Sequence, residues 1–282
     1  MDAKKVWFVT GASKGLGLTF VKKLLANGYR VAATSRNVQS LVQAVGEVSE
    51  VFLPLEMNVT DNDDVKAAIA SCVHHFGRID VVVNNAGYGL IGTLEELSEA
   101  EVKANFEVNV FGSLHVIRHA SPYLRQQKSG YIFNIASIGG YTGGYPGFGI
   151  YCATKFAVAG LTEALAEEMK DFGVHVSVVY PGYFRTDFLS SGSVKTAAHP
   201  IAAYESTRAV EQAHLHDING NQPNDPERAA EILIELSEQP APPVHLFLGK
   251  DAYAAATQKN DLIRLTLEEY KALATSTEIV QS

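Results

Sequence analysis

The strongest constraint in this sequence is an alternation of two periods. Short runs rich in Val, Ile and Phe recur between longer segments of helical period. The runs at 5–10 (KVWFVT), 29–35 (YRVAATS), 51–58 (VFLPLEMN) and 78–87 (RIDVVVNNAG) read as strands. So do 131–137 (YIFNIAS), 175–181 (HVSVVYP) and 244–249 (VHLFLG). Helices are predicted over 18–28, ended by Asn27-Gly28, over 38–48, and from a cap at Asp61 to about His75. Two more follow, one from about Glu99 to Gln127 with an interruption near Pro122, the other over 152–172. Strands this continuously apolar need cover on both faces, which implies a parallel sheet between two helix layers. Right-handed crossovers then give a doubly wound α/β sheet of about seven strands. No repeat or low-complexity linker divides the chain, and 1–282 reads as one domain.

Two stretches fit this pattern less well. Residues 187–226 lie between strands with mixed polarity and weak period, and read as a substrate lid more readily than as a plain surface excursion. The C-terminal extension, 251–282, holds a helical piece, LTLEEYKAL, and a frayed VQS end. The formal charge of −8, with no run of Lys and Arg, argues against nucleic acid and against an anionic membrane as partners. The start, MDAKKVWFVT, enters a strand-like run at once, without the apolar region of a signal peptide. No apolar run reaches the ~18–20 residues of a bilayer span. Cys72 and Cys152 lack metal-ligand spacing and read as free thiols in a reducing compartment. The expected location is therefore cytoplasmic. The histidines are scattered, and HLHD at 214–217 reads better as a solvated loop than as a metal site, so no metal is expected.

TGASKGLG at 10–17 follows the first strand and opens the first helix. Gly11 permits a tight turn, Gly15 lets the backbone approach a pyrophosphate, and Gly17 allows close packing of helix on sheet. The spacing is G-x-x-x-G-x-G, not G-x-G-x-x-G, and it lacks the G-K-[ST] ending of a P-loop. Such a turn alone could serve a methyltransferase or simple packing; its place at the start of the chain favours a nucleotide. Taken with NNAG at 84–87, Ser137, YCATK at 151–155 and Pro181-Gly182, it resembles the short-chain dehydrogenase/reductase family. The motifs stand in family order and spacing from about Lys4 to Thr186. The resemblance implies a single-domain Rossmann fold and a nicotinamide cofactor. It places Ser13, Leu16 and the loop glycines, then Asn85, Ala86 and Gly87, along that cofactor.

The second strand ends in TSRN, with no carboxylate to bind an adenosine ribose. Ser35 and Arg36 suit a 2′-phosphate instead, and Lys14 adds a second positive charge near the same place. NADP(H) is the expected cofactor, and the resemblance points the same way. Asn58-Val59 falls where many relatives carry Asp-Val beside the adenine, which implies a small change in adenine contacts.

Tyr151 and Lys155 share a helix face one turn apart. An ammonium ~4 Å from a phenol at an effective dielectric of ~20 favours the phenolate by at most ~4 kcal/mol, moving it toward general acid–base use. By resemblance, Tyr151 is the acid/base, and Lys155 tunes it and holds the nicotinamide ribose. Ser137 polarises the substrate carbonyl, and Asn109 anchors a water linked to the lysine. Pro181 and Gly182 flank the nicotinamide, and Thr186 bonds its carboxamide. The substrate walls, from Gly139 to Phe148, Tyr88, Tyr183 and the lid, are apolar and aromatic. The expected substrate is a neutral apolar ketone, aldehyde or secondary alcohol. The C-terminal third is most similar to hydroxysteroid- and retinol-dehydrogenase-like members. Analogy implies a homodimer or homotetramer. The alternative reading is a non-catalytic NADP(H)-binding sensor on the same fold.

Overall fold

The computed structural model describes residues 4–190 and 192–279. From the N-terminus come β1 (Val6–Val9), α1 (Gly15–Ala26), β2 (Arg30–Ser35), α2 (Val38–Val45), β3 (Phe52–Glu56), α3 (Asn62–Phe76) and β4 (Val81–Asn84). A short β5 (Gly89–Ile91) leads to α4 (Glu99–Phe106), one π-helical turn (Glu107–Phe111), α5 (Gly112–Gln127) and β6 (Gly130–Ile135). Next are α6 (Gly149–Met169), β7 (Val174–Pro181), β8 (Val194–Thr196), α7 (Glu205–Gln212) and a second π-helical segment (Ala213–Ile218). The chain closes with α8 (Pro226–Ser237), β9 (His245–Leu248) and α9 (Lys250–Thr275).

Seven strands form one parallel sheet in the order β3-β2-β1-β4-β6-β7-β9. β1 shows why a parallel sheet reads as an unbroken apolar run. Val6 and Phe8 enter the core beneath α3, α5 and α6, while Trp7 and Val9 enter the core beneath α1, α2 and α8. The winding reverses at β1 and β4, which are neighbours although they are far apart in sequence. A crevice opens there beyond the strand ends, where doubly wound sheets bind ligands.

Several local expectations are met. Asp61 caps α3 by accepting from Asp63 N and Asp64 N. The expected strands and helices are present with ends shifted by a few residues, and α1 starts earlier than predicted, inside the glycine loop. Other expectations are corrected. The interruption of the 99–127 helix falls at Glu107–Phe111, and α5 runs straight through Pro122. Pro122 and Arg118 are both exposed, so the carbonyl that the proline leaves without a donor can face water. HLHD is helical, not a solvated loop: it lies in the second π-helical segment, and His214 is buried. In the tail the helix is far longer than the LTLEEYKAL piece, and the VQS end lies outside the described residues. Among the described residues no helix is long and apolar enough to cross a membrane.

The described residues of the 187–226 segment pack against the body. β8 pairs with β5, joining Gly89 to Val194 and Ile91 to Thr196. Glu96, its side chain fully buried, accepts from Thr93 N at 2.8 Å and Ile201 N at 2.7 Å, and pairs with Arg208 at 2.8 Å. Those amides hold its carboxyl below the usual carboxylate range against the opposing effect of burial. Glu101 accepts from Ala198 N, and Tyr204 donates to Glu95. Replacing Glu96 by Ala is expected to raise the rate of proteolytic cleavage within 198–208 at least about tenfold, the β-sheet core remaining intact. An unchanged cleavage rate at that segment would show that Glu96 does not anchor it.

Candidate active site

The loops after β1 and β4 meet at the crevice. Gly11 has φ +65°, and a Cβ there would stand 2.8 Å from Ala86 Cα, so both conformation and space require glycine. Asn85 Nδ2 donates to Thr10 O at 2.9 Å and to Gly11 O at 3.0 Å. Thr10 Oγ1 accepts from Asn85 N and Ala86 N. Gly17 packs beneath this clasp, its missing Cβ only 2.5 Å from Asn85 Nδ2, and it does not line the crevice. Asn85 thus borders the cavity while its amide secures the loop.

The crevice is a cavity of about 510 Å³. One end is lined by Ser13, Lys14, Gly15 and Leu16, then by Ser35, Arg36, Asn58 and Val59. Ala86, Gly87, Pro181, Gly182 and Thr186 line its middle, and Ser137, Tyr151 and Lys155 reach it from the sheet and α6. Four cations, Lys14, Arg36, Lys155 and Lys195, border it, with no carboxylate among the described lining residues. Lys14 and Arg36 are exposed at the same end. A glycine cradle, a helix start and uncompensated cations fit a phosphate-bearing dinucleotide.

Lys155 lies one helical turn beyond Tyr151 in the first half of α6. Its Nζ donates to Ile135 O at 2.9 Å and lies 5.8 Å from the centroid of the Tyr151 ring. The expected direct electrostatic pairing is therefore replaced by a lysine bonded to the end of β6. Both groups are buried, and burial dominates both. It pushes the phenol well above its ordinary value, only partly offset by the Ser137 hydroxyl, and it lowers the lysine to about 8. Ser137 Oγ also accepts from Gly139 N at 3.1 Å.

Asn109 sits in the π-helical turn, whose extra residue turns it inward. Its Oδ1 accepts from Tyr88 N, and its Nδ2 donates to Tyr88 O and Thr154 Oγ1, each at 3.0 Å. The side chain is fully engaged and does not line the cavity, so it braces the β4 loop against α6. Asn58 Oδ1 is likewise engaged, accepting from Thr60 N and Oγ1. Thr186 Oγ1 accepts from Phe188 N.

Three contributors lie outside the family motifs. Asp251, from the start of α9, accepts from Tyr183 N at 2.7 Å and from Asn224 at 2.8 Å, holding the turn after Gly182. Gln222 reaches the cavity beside Thr186, its Nε2 near Thr186 O at 3.4 Å and its buried Oε1 without a partner. An orphaned acceptor there suits a ligand amide. His214 also lines the cavity. Asp251 and Gln222 come from the tail and the loosely patterned segment, where neither period nor motif marks them, and His214 comes from the HLHD stretch, which reads in the sequence as a solvated loop. The two cysteines are free and buried, and burial raises Cys72 to about 12 and Cys152 to about 11. Among the described residues no cluster of three or more His, Cys, Asp or Glu could hold a metal.

Holding Lys155 buried costs stability. Its folded pKa of about 8 lies below the ordinary 10.5, so the unfolded chain binds more protons between those values. The group's contribution to stability consequently improves as pH rises through that window. Lys155→Met is expected to stabilise the fold at neutral pH by about 1–2 kcal/mol, after allowing for the lost Ile135 bond, with the gain shrinking toward pH ~10. Urea denaturation at several pH values measures this; a midpoint that does not rise would contradict the assignment.

Comparison with known proteins gives the same picture. The sequence profile of the short chain dehydrogenase family matches residues 5–196. Oxidoreductase BOA17 of Botryotinia fuckeliana is 36% identical over 272 residues, covering 96% of this chain and 98% of that protein. The 3-ketodihydrosphingosine reductase of Bacteroides thetaiotaomicron is 35% identical over 221 residues, or 78% and 79% of the two chains. A short-chain dehydrogenase from Streptomyces avermitilis matches with a TM-score of 0.89 and 33% identity, over 99% of this chain and 100% of that one. ElxO with NADP bound matches with a TM-score of 0.71 and 26% identity, over 89% and 99%. The chain belongs to the short-chain dehydrogenase/reductase family, as an oxidoreductase with that family's single-domain Rossmann fold.

Proposed function

We propose that this protein is an NADP(H)-dependent carbonyl reductase/alcohol dehydrogenase acting on a neutral, largely apolar ketone, aldehyde or secondary alcohol. The observation that carries this reading is the convergence of Ser137, Tyr151 and Lys155 on the cavity that Lys14 and Arg36 border at its other end. The 3-keto reductase among the relatives supports carbonyl chemistry, and the NADP-bound neighbour supports the cofactor class. Ser35, Arg36 and Lys14 would hold the 2′-phosphate, and no carboxylate opposes them. Gly11 and Gly15, with the start of α1, would hold the pyrophosphate, and Lys155 the nicotinamide ribose. Thr186 and Gln222 would meet the carboxamide.

When bound, the nicotinamide supplies hydride to the carbonyl carbon or accepts it from the alcohol carbon. Ser137 orients and polarises the carbonyl oxygen. Tyr151 gives its phenolic proton to that oxygen in reduction and removes it in oxidation. Burial keeps the phenol protonated at neutral pH, so the proton-bearing form is the populated one and the phenolate that oxidation needs is scarce. Lys155 supplies positive charge beside the phenol and its phenolate. Apolar walls, including Phe148 and Phe188, exclude water around the reacting carbon.

The 187–226 segment serves in this reading as a substrate lid whose base is pinned by Glu96. Cytoplasmic location and assembly as a homodimer or homotetramer complete the proposal. Assembly is supported by apolar residues on exposed helix faces, Phe111 at 43%, Phe156 at 40% and Leu273 at 72% exposure. No nucleic acid or membrane partner is proposed for so acidic a chain.

Tyr151→Phe should lower carbonyl reduction by about 100- to 10,000-fold while NADPH fluorescence still reports binding. Turnover that survives the change would remove Tyr151 from the reaction. Because the phenol is pushed upward and Lys155 lies at about 8, wild-type reduction should vary little between about pH 6 and 7 and decline above pH ~8 as the ammonium is lost, whereas alcohol oxidation should climb from about pH 6 to 8. A reduction rate that already falls steeply between pH ~6 and 7 would point to a different donor. Arg36→Ala should weaken NADPH by roughly 10- to 100-fold and NADH far less. Equal losses for both cofactors would exclude a phosphate contact.

A further inference from the structure

The cavity carries a polar pair that the hydride chemistry leaves unassigned. Tyr183 follows the Pro181-Gly182 turn, and His214 comes from the second π-helical segment; both line the substrate end. His214 Nδ1 lies 2.8 Å from Val210 O, and His214 Nε2 lies 2.9 Å from the Tyr183 hydroxyl. A carbonyl can only accept, so the Nδ1 proton is committed to Val210. In the neutral ring Nε2 is then an acceptor, and the phenol proton points to it. The oxygen of Tyr183 is left with lone pairs and no proton for the cavity. Burial keeps this phenol protonated by raising it to about 12.

Aromatic rings flank the pair, and the other phenol near Tyr183, that of Tyr145, already accepts from Thr142 Oγ1 at 3.2 Å. The Phe148 ring lies 4.7 Å from His214 and 6.2 Å from Tyr151, so the pair stands one aromatic ring away from the proposed acid. Among the described residues, His214 is the hydrogen-bond partner of the Tyr183 oxygen. An all-carbon substrate filling this end would strip water from a lone pair and give nothing back, whereas an O–H would satisfy it. The π-helical turn presents His214 toward Tyr183, as irregular turns at binding sites commonly do.

We propose that Tyr183 and His214 form a hydroxyl-recognition subsite, so that the substrate is a carbonyl compound carrying a separate hydroxyl group on its apolar frame. Tyr183 accepts the hydrogen bond, and His214 is a positioning residue that fixes the phenol's proton. This rests on the carbonyl-reductase reading of the same cavity and narrows its substrate class from a plain apolar ketone to a hydroxy-ketone, or to a diol in reverse.

The test uses the full chain with NADPH, a medium-chain methyl ketone and the positional mono-hydroxy isomers of that ketone. kcat/KM is measured for each, and binding of each to the NADP+-loaded protein is followed by thermal shift. One hydroxy isomer should exceed the parent ketone by roughly 10- to 100-fold. That ratio should fall at least fivefold in Tyr183→Phe and in His214→Leu. His214→Gln, whose amide oxygen can take the place of Nε2, should keep most of it. Reduction of the parent ketone with no preference for any isomer would overturn the subsite, as would a preference that survives in Tyr183→Phe. Selective binding of one isomer that is lost in Tyr183→Phe, without turnover of any ketone, would uphold the subsite and sink the reductase reading. Neither turnover nor selective binding would sink both.

Discussion

The clasp between the ends of β1 and β4 is the constraint on which the rest of the molecule depends. These strands are neighbours because the chain winds outward from β1 in one direction and then resumes on its other side. Their following loops turn apart and leave a crevice, yet they must still touch at its floor. Thr10 accepts two amides of the β4 loop, and Asn85 returns two bonds to the β1 loop. Gly11 and Gly17 are needed because no Cβ fits within that contact. If the loops separated, the floor of the cofactor cavity and the start of α1 would lose their common support.

A second set of buried polar contacts carries this geometry to α6. Asn84 bonds Asn134 across the sheet, and Asn134 bonds Thr162 on α6. Asn109 joins the β4 loop to Thr154, whose hydroxyl in turn donates to Tyr151 O. Such contacts are directional, unlike the aliphatic packing around them, so they set the rotation and height of α6 relative to the crevice. The same enclosure opposes ionisation of Tyr151 and disfavours the charge on Lys155. Functional residues thus sit where the fold is least comfortable with them, a common relation between activity and stability.

Legibility in the sequence varied with the kind of interaction. Residues whose role depends on near neighbours in the chain were readable: Asp61 caps the turn that follows it, and the 3.6-residue period places Tyr151 and Lys155 together. Asn109 was visible only by resemblance, since nothing local distinguishes it from any polar residue in a helix. Pro122 misled because the cost of an interior proline depends on whether the carbonyl it strands can reach water, which is a property of the surroundings. Tyr151 is raised, where its spacing from Lys155 predicts lowering, for a similar reason. Spacing brings the lysine to the right face, but burial outweighs its charge, and its ammonium bonds Ile135 O instead.

The order of strands and helices, the glycine turn and the positions of Ser137, Tyr151 and Lys155 follow from periodicity, side-chain size and short-range geometry, all written along the chain. The substrate end of the cavity does not. Tyr183 and His214 stand 31 residues apart and meet because β8 pairs with β5 and Glu96 anchors the segment behind it. Gln222 and Asp251 reach the site from still farther along. Local pattern encodes which elements form, but contacts between distant segments arise only when those elements pack, and the wall that selects a substrate is made of such contacts.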